Sequence, residues 1–361
     1  MSDVMVGAAD LTGGALTLET GFLGNIPSDV AQTLLGRVRT SCDPVLHMAI
    51  ESLGEPLATM AGYHLGWWNS DRSEVAGSSG KFIRAALVCA VAAACGGDAV
   101  DAVLVAAAVE LVHNFTLLHD DVMDGDTTRR GRPTVWSVWG VDEAILLGDA
   151  LHALAIRILT DLRDHSVALE AIMRLEASCL DLCVGQLEDC SFEGHQEVTV
   201  DDYLHMAGRK TAALMGCCCA LGALSANADD PTIAALERFG YELGLAFQCV
   251  DDLIGIWGDP GVTGKPAGND LARRKATLPV VAALNSKSEA AIELAALYQS
   301  SVAMTATDID RAAALIEVAG GRLAVQRCAD EQIQAAVAAL PDAVRTQDLI
   351  ALSELICRRE R

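Results

Sequence analysis

The sequence predicts an all-α fold, on three grounds. Hydrophobic residues make up 52% of the 361 positions while aromatics make up only 4%, and alanine fills much of the difference. Segments in which Val, Ile, Tyr or Phe alternate with polar residues, the mark of half-buried strands, are few. Helix-start chemistry recurs instead. Thr199-Val200-Asp201-Asp202 resembles a capping box with Asp in place of Glu, and Asp230-Pro231 opens a long apolar stretch. The length allows one large domain or two small ones. No linker divides it, so one helical domain over 28–361 is expected.

Taken in order, residues 1–27 are rich in Gly, Ala and small polar residues without a period and are expected to be poorly ordered. Val30, Leu34, Leu35 and Val38 recur at helical spacing from Ser28, and Pro44 is expected to start a second helix reaching about Gly62. A loop with Trp67, Trp68, Ser78, Ser79 and Gly80 follows. Lys81-Phe82-Ile83-Arg84 then opens an apolar helix to Cys95. Further helices are expected over Asp98–Val122, Glu143–Asp164 and Val167–Leu187, from Thr199 through Lys210-Thr211, and from Asp230 to Trp257. After Pro279 the chain is helical and Ala-rich to Arg361.

The net charge of −23 argues against nucleic acid or an anionic membrane surface as a partner. Positive charge is nevertheless concentrated locally: Lys81 with Arg84, Arg129 with Arg130 and Arg132, Arg209 with Lys210, and Arg273 to Lys275. Of twelve cysteines, the run Cys217, Cys218, Cys219 reads as small buried hydrophobes and not as a disulfide framework. Cys179 and Cys183 share a helix face, but no second Cys or His pair at ligand spacing accompanies them, so core filling is the expectation. No uninterrupted apolar run approaches the ~20 residues of a membrane span. The N-terminus lacks the basic and apolar regions of a signal peptide. A reducing cytoplasm fits these features.

Two stretches carry chemistry. The first, Leu111 to Thr134, is an apolar helical run ending in Asp120, Asp121 and Asp124, then Arg129, Arg130 and Arg132. Asp120 and Asp124 share a helix face, with Cβ atoms roughly 5–6 Å apart. They repel unless a cation lies between them, and oxygen-only ligands at that reach suit Mg²⁺, which binds together with substrate phosphates. Planar guanidiniums grip phosphate oxygens two at a time. The alternative is a solvated helix end that caps itself. The second stretch, Phe247 to Pro279, repeats the design. Gln248, Asp251 and Asp252 end an apolar helix, and Lys265, Arg273, Arg274 and Lys275 follow. Two such segments predict two helices facing one another across a cavity and clamping one polyanion.

On these residues the chain resembles the trans-isoprenyl diphosphate synthases of the polyprenyl synthetase family, from about Gly62 to Pro279. It is most similar to actinobacterial members that make geranylgeranyl diphosphate. The resemblance implies a large helical bundle of the isoprenoid synthase type with a central active-site cavity. It implies an Mg²⁺-dependent transferase, with three ions per active site held by Asp120, Asp124 and Asp251. Asp121, Asp252 and Lys210 complete the catalytic group. It implies head-to-tail condensation of isopentenyl diphosphate with an allylic diphosphate, by a cytoplasmic homodimer.

Lys81 and Arg84 match the family's isopentenyl diphosphate segment, although SGKFIRA has Ser79, Phe82 and Ala85 where that segment has Gly, Arg and Pro. A lone histidine on an apolar helix is usually a satisfied core residue, but the family places a diphosphate contact at the spacing of His113. Arg129, Arg130, Lys210, Thr211, Gln248, Lys265 and Lys275 are the other expected substrate contacts, and Gln186 is a weak candidate. The second motif departs from the family: Gly255 stands at its fifth position, which is expected to be dispensable. Phe115 and Thr116, five and four residues before Asp120, are expected to face the hydrocarbon tail and set a C20 product. Rival readings are a synthase of another chain length, a class I terpene cyclase and a silent partner subunit.

Overall fold

A stripe of buried apolar residues, Leu34, Val38, Cys42, Leu46 and Ile50, runs the length of the first helix, α1 (Ser28–Glu51). It explains why α1 passes through Pro44 instead of restarting there. The proline removes one ladder hydrogen bond, and burial of one continuous face outweighs that loss. The computed structural model describes residues 28–75, 80–192, 197–258, 268–300 and 302–357. The N-terminal 1–27 segment lies outside them, as do Ser78, Ser79, Asp259 and Lys265.

The chain continues through α2 (Leu57–His64), α3 (Ile83–Ala94) and α4 (Ala99–Met123), a two-residue hairpin of β1 (Thr128–Arg129) and β2 (Arg132–Pro133), and α5 (Val135–Val138). Next come α6 (Val141–Leu159), α7 (His165–Phe192) and α8 (Val200–Ala207). A π turn (Gly208–Ala212) joins α8 to α9 (Ala213–Ser225), and α10 (Asp230–Trp257) follows. The C-terminal part holds α11 (Asn269–Ala272), α12 (Leu278–Asn285), α13 (Glu289–Gln299), α14 (Ala306–Val318), α15 (Gly321–Ala339) and α16 (Gln347–Cys357).

The capping chemistry read from the sequence is present. Asp202 N–H donates to Thr199 Oγ1 at 3.1 Å, and Thr199 N–H donates to Asp202 Oδ2 at 3.0 Å. Such a cap stabilises a helix by about 1 kcal/mol. At α3 the start differs from expectation. Phe82 is the N-cap, in the left-handed region at φ 56°, so Lys81 precedes the helix instead of sharing its face with Arg84.

Helix α4 is the centre of the bundle and packs on α1, α3, α6 and α9, while α10 packs on α9, α15 and α16. Leu111 and Leu118 of α4, Leu87 of α3, Leu147 and Leu151 of α6 and Phe239 of α10 are fully buried there. Although Asp101 and Glu110 interrupt its apolar run, α4 is long and apolar enough to cross a membrane by length and composition; 67% of its apolar window is buried inside the bundle. Cys217, Cys218 and Cys219 are buried free thiols on α9.

Candidate active site

Asp120 and Asp124 lie at the C-terminal end of α4, where the helix dipole disfavours carboxylates. Cations from other elements offset this. Lys275 Nζ lies 2.7 Å from Asp124 Oδ2. Arg273 donates to Asp126 Oδ1 at 2.6 Å and to the Asp124 carbonyl. The cations that follow the second motif therefore close onto the acids of the first, so the two stretches do meet. Burial pushes Asp124 up, but Lys275, Lys210 and Arg273 outweigh it and hold the carboxyl below its usual range. Burial pushes Asp120 up, against Lys210 and with the like charge of Asp124. Two half-buried carboxylates facing ammonium groups form an oxygen donor set that fits Mg²⁺.

Lys210 reaches this place because of the π turn. Its Nζ is 2.5 Å from Asp189 Oδ2 of α7. Burial works against its charge, yet Asp189 and Asp120 raise its pKa, so it remains an ammonium. The contact needs Gly185: a Cβ there would lie 2.4 Å from the Lys210 backbone nitrogen. Asp189 was not singled out in the sequence. Its only signal is position, one turn beyond the glycine that lets the two backbones touch.

A buried chain of hydrogen bonds continues from Lys210. Thr211 Oγ1 donates to Gln248 Oε1 at 2.8 Å, and Gln248 Nε2 donates to Asp252 Oδ1 at 2.9 Å. Tyr203 Oη donates to Asp252 Oδ2 at 2.5 Å, and Leu278 N–H to the same atom at 2.8 Å. Burial lifts Asp252 to about 7 despite these donors. Asp252 therefore does not join Asp251 at the exposed face; it ties α8, α10 and α12 together. Asp121 is turned inward in the same way. It is buried, both Nε and Nη2 of Arg129 contact its Oδ1 at 2.7 Å, and burial still raises it to about 6. Adjacent helical residues point about 100° apart, so in each Asp-Asp pair one carboxylate faces out and the other is held inside by its partners.

Asp251 is exposed on α10. One turn on, a Cβ at Gly255 would stand 2.0 Å from Asp270 Oδ2. Asp270, on α11, thus puts a carboxylate where a fifth-position side chain would begin. The sequence reading expects an aspartate at 255 to change little; the place of Asp270 argues for a larger effect, because two carboxylates would be driven together. Gly255→Asp is expected to lower turnover at least about tenfold, the equivalent of ~1.4 kcal/mol, and Gly255→Asp with Asp270→Gly is expected to restore most of it. Wild-type turnover in the single variant would show that Asp270 yields freely.

A second basic group lies between α1, α3, α4 and the hairpin. Arg84 Nη1 is 3.3 Å from His113 Nε2, and the Arg84 guanidinium lies 5.9 Å from the Phe247 ring centroid. Burial, then the charges of Arg84 and Arg130, hold His113 well below the ordinary imidazole range, so it is neutral. Arg130, at φ 53° in the hairpin turn, rests against Gly80, where a Cβ would lie 2.8 Å from its Nη2. Arg39 donates to the Gly80 carbonyl and stacks over Phe82 at 5.2 Å. The phenylalanine that replaces the family's arginine is therefore covered by another arginine, which the sequence did not reveal. Glu110 is buried among these groups. Burial raises its pKa, against the charges of Arg84, Arg130 and Arg39. Lys81 is exposed beside them in the chain.

Phe115 is held between two imidazoles. Its ring is edge-on to His119 at 5.6 Å and stacked on His152 at 5.0 Å. Thr116 is buried and donates to the His113 carbonyl at 2.8 Å.

Comparison with known proteins gives the family. Residues 68–316 match the polyprenyl synthetase family. The chain is 77% identical over 348 residues to a geranylgeranyl diphosphate synthase of Mycobacterium tuberculosis, covering 96% of this chain and 99% of that one. It is 43% identical over 292 residues to a (2E,6E)-farnesyl diphosphate synthase of the same organism, covering 80% and 81%. Among solved structures, a polyprenyl synthetase from Streptomyces coelicolor superposes with a TM-score of 0.86 at 43% identity, covering 90% of this chain and 99% of that one. The geranylgeranyl pyrophosphate synthase of Corynebacterium glutamicum, complexed with isoprenyl diphosphate and magnesium, superposes with a TM-score of 0.73 at 28% identity, covering 92% and 99%. The chain belongs to the polyprenyl synthetase family.

Proposed function

We propose that the chain condenses isopentenyl diphosphate head-to-tail with allylic diphosphates and makes mainly geranylgeranyl diphosphate. The observation that carries this reading is the pair of basic groups served by α4. Lys210 and Lys275 face Asp120 and Asp124 at its end, and Arg84, Arg130 and Arg39 surround Glu110 and His113 further back. Two anionic substrates call for two such groups. The 77% identity to a geranylgeranyl diphosphate synthase supports the product class.

Asp120, Asp124 and Asp251 are the residues that would hold Mg²⁺, with Asp270 against Gly255, one turn from the last of them. The metal supplies charge neutralisation for the departing diphosphate. Lys210 and Lys275 add preorganised positive charge there, and Asp189 holds Lys210 in place. Arg129, fixed by Asp121, adds a guanidinium. Arg84, Arg130 and neutral His113 hold isopentenyl diphosphate so that its double bond faces the allylic carbon. Apolar residues around Phe115 keep water from the cationic intermediate. The released diphosphate accepts the proton lost in the elimination step.

An exposed apolar stripe supports the homodimer. Ile145 and Leu146 of α6 and Leu169, Met173, Leu180 and Leu187 of α7 are solvent-exposed in the single chain. The last four follow helical spacing along one face. A second copy covering this stripe removes it from water.

The deciding experiment is incubation with isopentenyl diphosphate and each of the C5, C10 and C15 primers, with chromatography of the dephosphorylated products. A C20 product from each primer it accepts supports the reading; no consumption of isopentenyl diphosphate removes it. A finer test separates the two substrate sites. Arg84→Ala and Lys81→Ala are expected to raise KM for isopentenyl diphosphate more than for the allylic substrate. One lost charge-assisted contact is worth on the order of 1.5–3 kcal/mol, or about 10- to 150-fold. An effect confined to the allylic substrate would mean that the sites are exchanged.

A further inference from the structure

Cys179 and Cys183 lack a ligand pair in the sequence, but the fold brings a histidine from another helix to Cys179. Glu176, Cys179 and Cys183 follow one another along one face of α7 at helical spacing. His152 projects from α6, and its Nε2 lies 2.7 Å from Glu176 Oε1. The ligand atoms of His152, Glu176 and Cys179 all lie within 4.8 Å of one another. We propose that these three residues bind a thiophilic divalent cation of the zinc class, at a site separate from the aspartates of α4 and α10.

The geometry is close to what such an ion needs. Zinc takes four tetrahedral ligands at about 2.0–2.3 Å, which puts neighbouring ligand atoms about 3.3–3.8 Å apart. Modest side-chain rotation brings the three atoms there. The imidazole is already oriented, because its ring stacks on Phe115 at 5.0 Å while Nε2 faces Glu176. Oriented histidines of this kind favour metal binding. Cys179 is buried at the base and Glu176 and His152 are half-buried above it. Cys183, one turn further along α7, is exposed, and water fills the fourth position.

A thiol and an imidazole select zinc-class ions over Mg²⁺, which prefers oxygen ligands and keeps its waters. Binding replaces the His152–Glu176 hydrogen bond with two metal bonds. The Cys179 thiol proton is released to solvent, and the imidazole binds in its neutral form.

The test uses Co²⁺ as a spectroscopic probe on the full-length chain, with Mg²⁺ saturating the aspartate site. The expected result is one Co²⁺ per chain, with a thiolate-to-cobalt charge-transfer band in the near ultraviolet that Zn²⁺ abolishes. Cys179→Ser is expected to lose the band. His152→Gln is expected to weaken Co²⁺ binding at least about tenfold, and far-ultraviolet circular dichroism checks the fold of both. If Cys179→Ser does not fold, His152→Gln decides. No charge-transfer band in the wild-type chain at excess Co²⁺, a band unchanged in folded Cys179→Ser, or Co²⁺ affinity unchanged in His152→Gln overturns the proposal.

Discussion

Asp120→Ala and Asp251→Ala are each expected to lower turnover by on the order of 1,000-fold or more while leaving the helical content intact. The physical case is strongest for Asp120. It is half-buried beside Asp124 and opposite Lys210, so its removal deletes a carboxylate from the place where positive charge must gather. Losing one preorganised electrostatic group at a reacting centre costs about 10²–10³ in rate, and losing a metal ligand as well adds to that. Lys275 is already 2.7 Å from Asp124. Without Asp120, Asp124 is left to that ion pair and cannot serve the metal alone. The adjacent aspartates give the contrast. Asp121→Asn frees Arg129, and Asp252→Asn weakens a buried lock between three helices. Both are therefore expected to act through substrate affinity or stability before chemistry. Steady-state assay with labelled isopentenyl diphosphate, alongside thermal melting, separates the classes. Near-wild-type turnover in folded Asp120→Ala would remove the metal-clamp mechanism.

Phe115→Ala is expected to extend the main product beyond C20, and Thr116→Phe to shorten it towards C15. One helical turn is about 5.4 Å, so Phe115 stands five residues and more than one turn below Asp120, which on the proposed reading is the path of a growing tail. Truncating its ring opens that path without touching the aspartates. The extension should be limited, because His152 lies directly behind the ring and is bonded to Glu176. A hydrocarbon tail pressed against that polar pair desolvates it, at a cost of roughly 1–3 kcal/mol. Phe115→Ala should therefore move the distribution by about one isoprene unit, and Phe115→Ala with His152→Ala further. Chromatography of the dephosphorylated products reads both shifts. An unchanged C20 product in Phe115→Ala at retained turnover would mean that the ring only packs between helices.

The sequence by itself determined the helical class, the two acid-then-base stretches and the family. The first two follow from local rules, namely alanine-rich apolar periodicity, the Thr199 cap, the Asp230-Pro231 start and i,i+4 carboxylates at a helix end, and the family follows from the motifs that resemble it. It could not say which aspartate of each pair faces the substrate. That depends on which partner lies across the helix, and only the fold brought Arg129 to Asp121 and Tyr203, Gln248 and Leu278 to Asp252. It could not show what faces Gly255, because the carboxylate that fills the space comes from Asp270 in another element. It passed over Asp189, Arg39 and Glu110, each a single charged residue without a local pattern, and it expected a break at Pro44 where tertiary burial holds one helix. The reason is the same in every case. Periodicity and capping are short-range and are written in neighbouring residues, whereas the partner of a buried charge is chosen by which helices pack together.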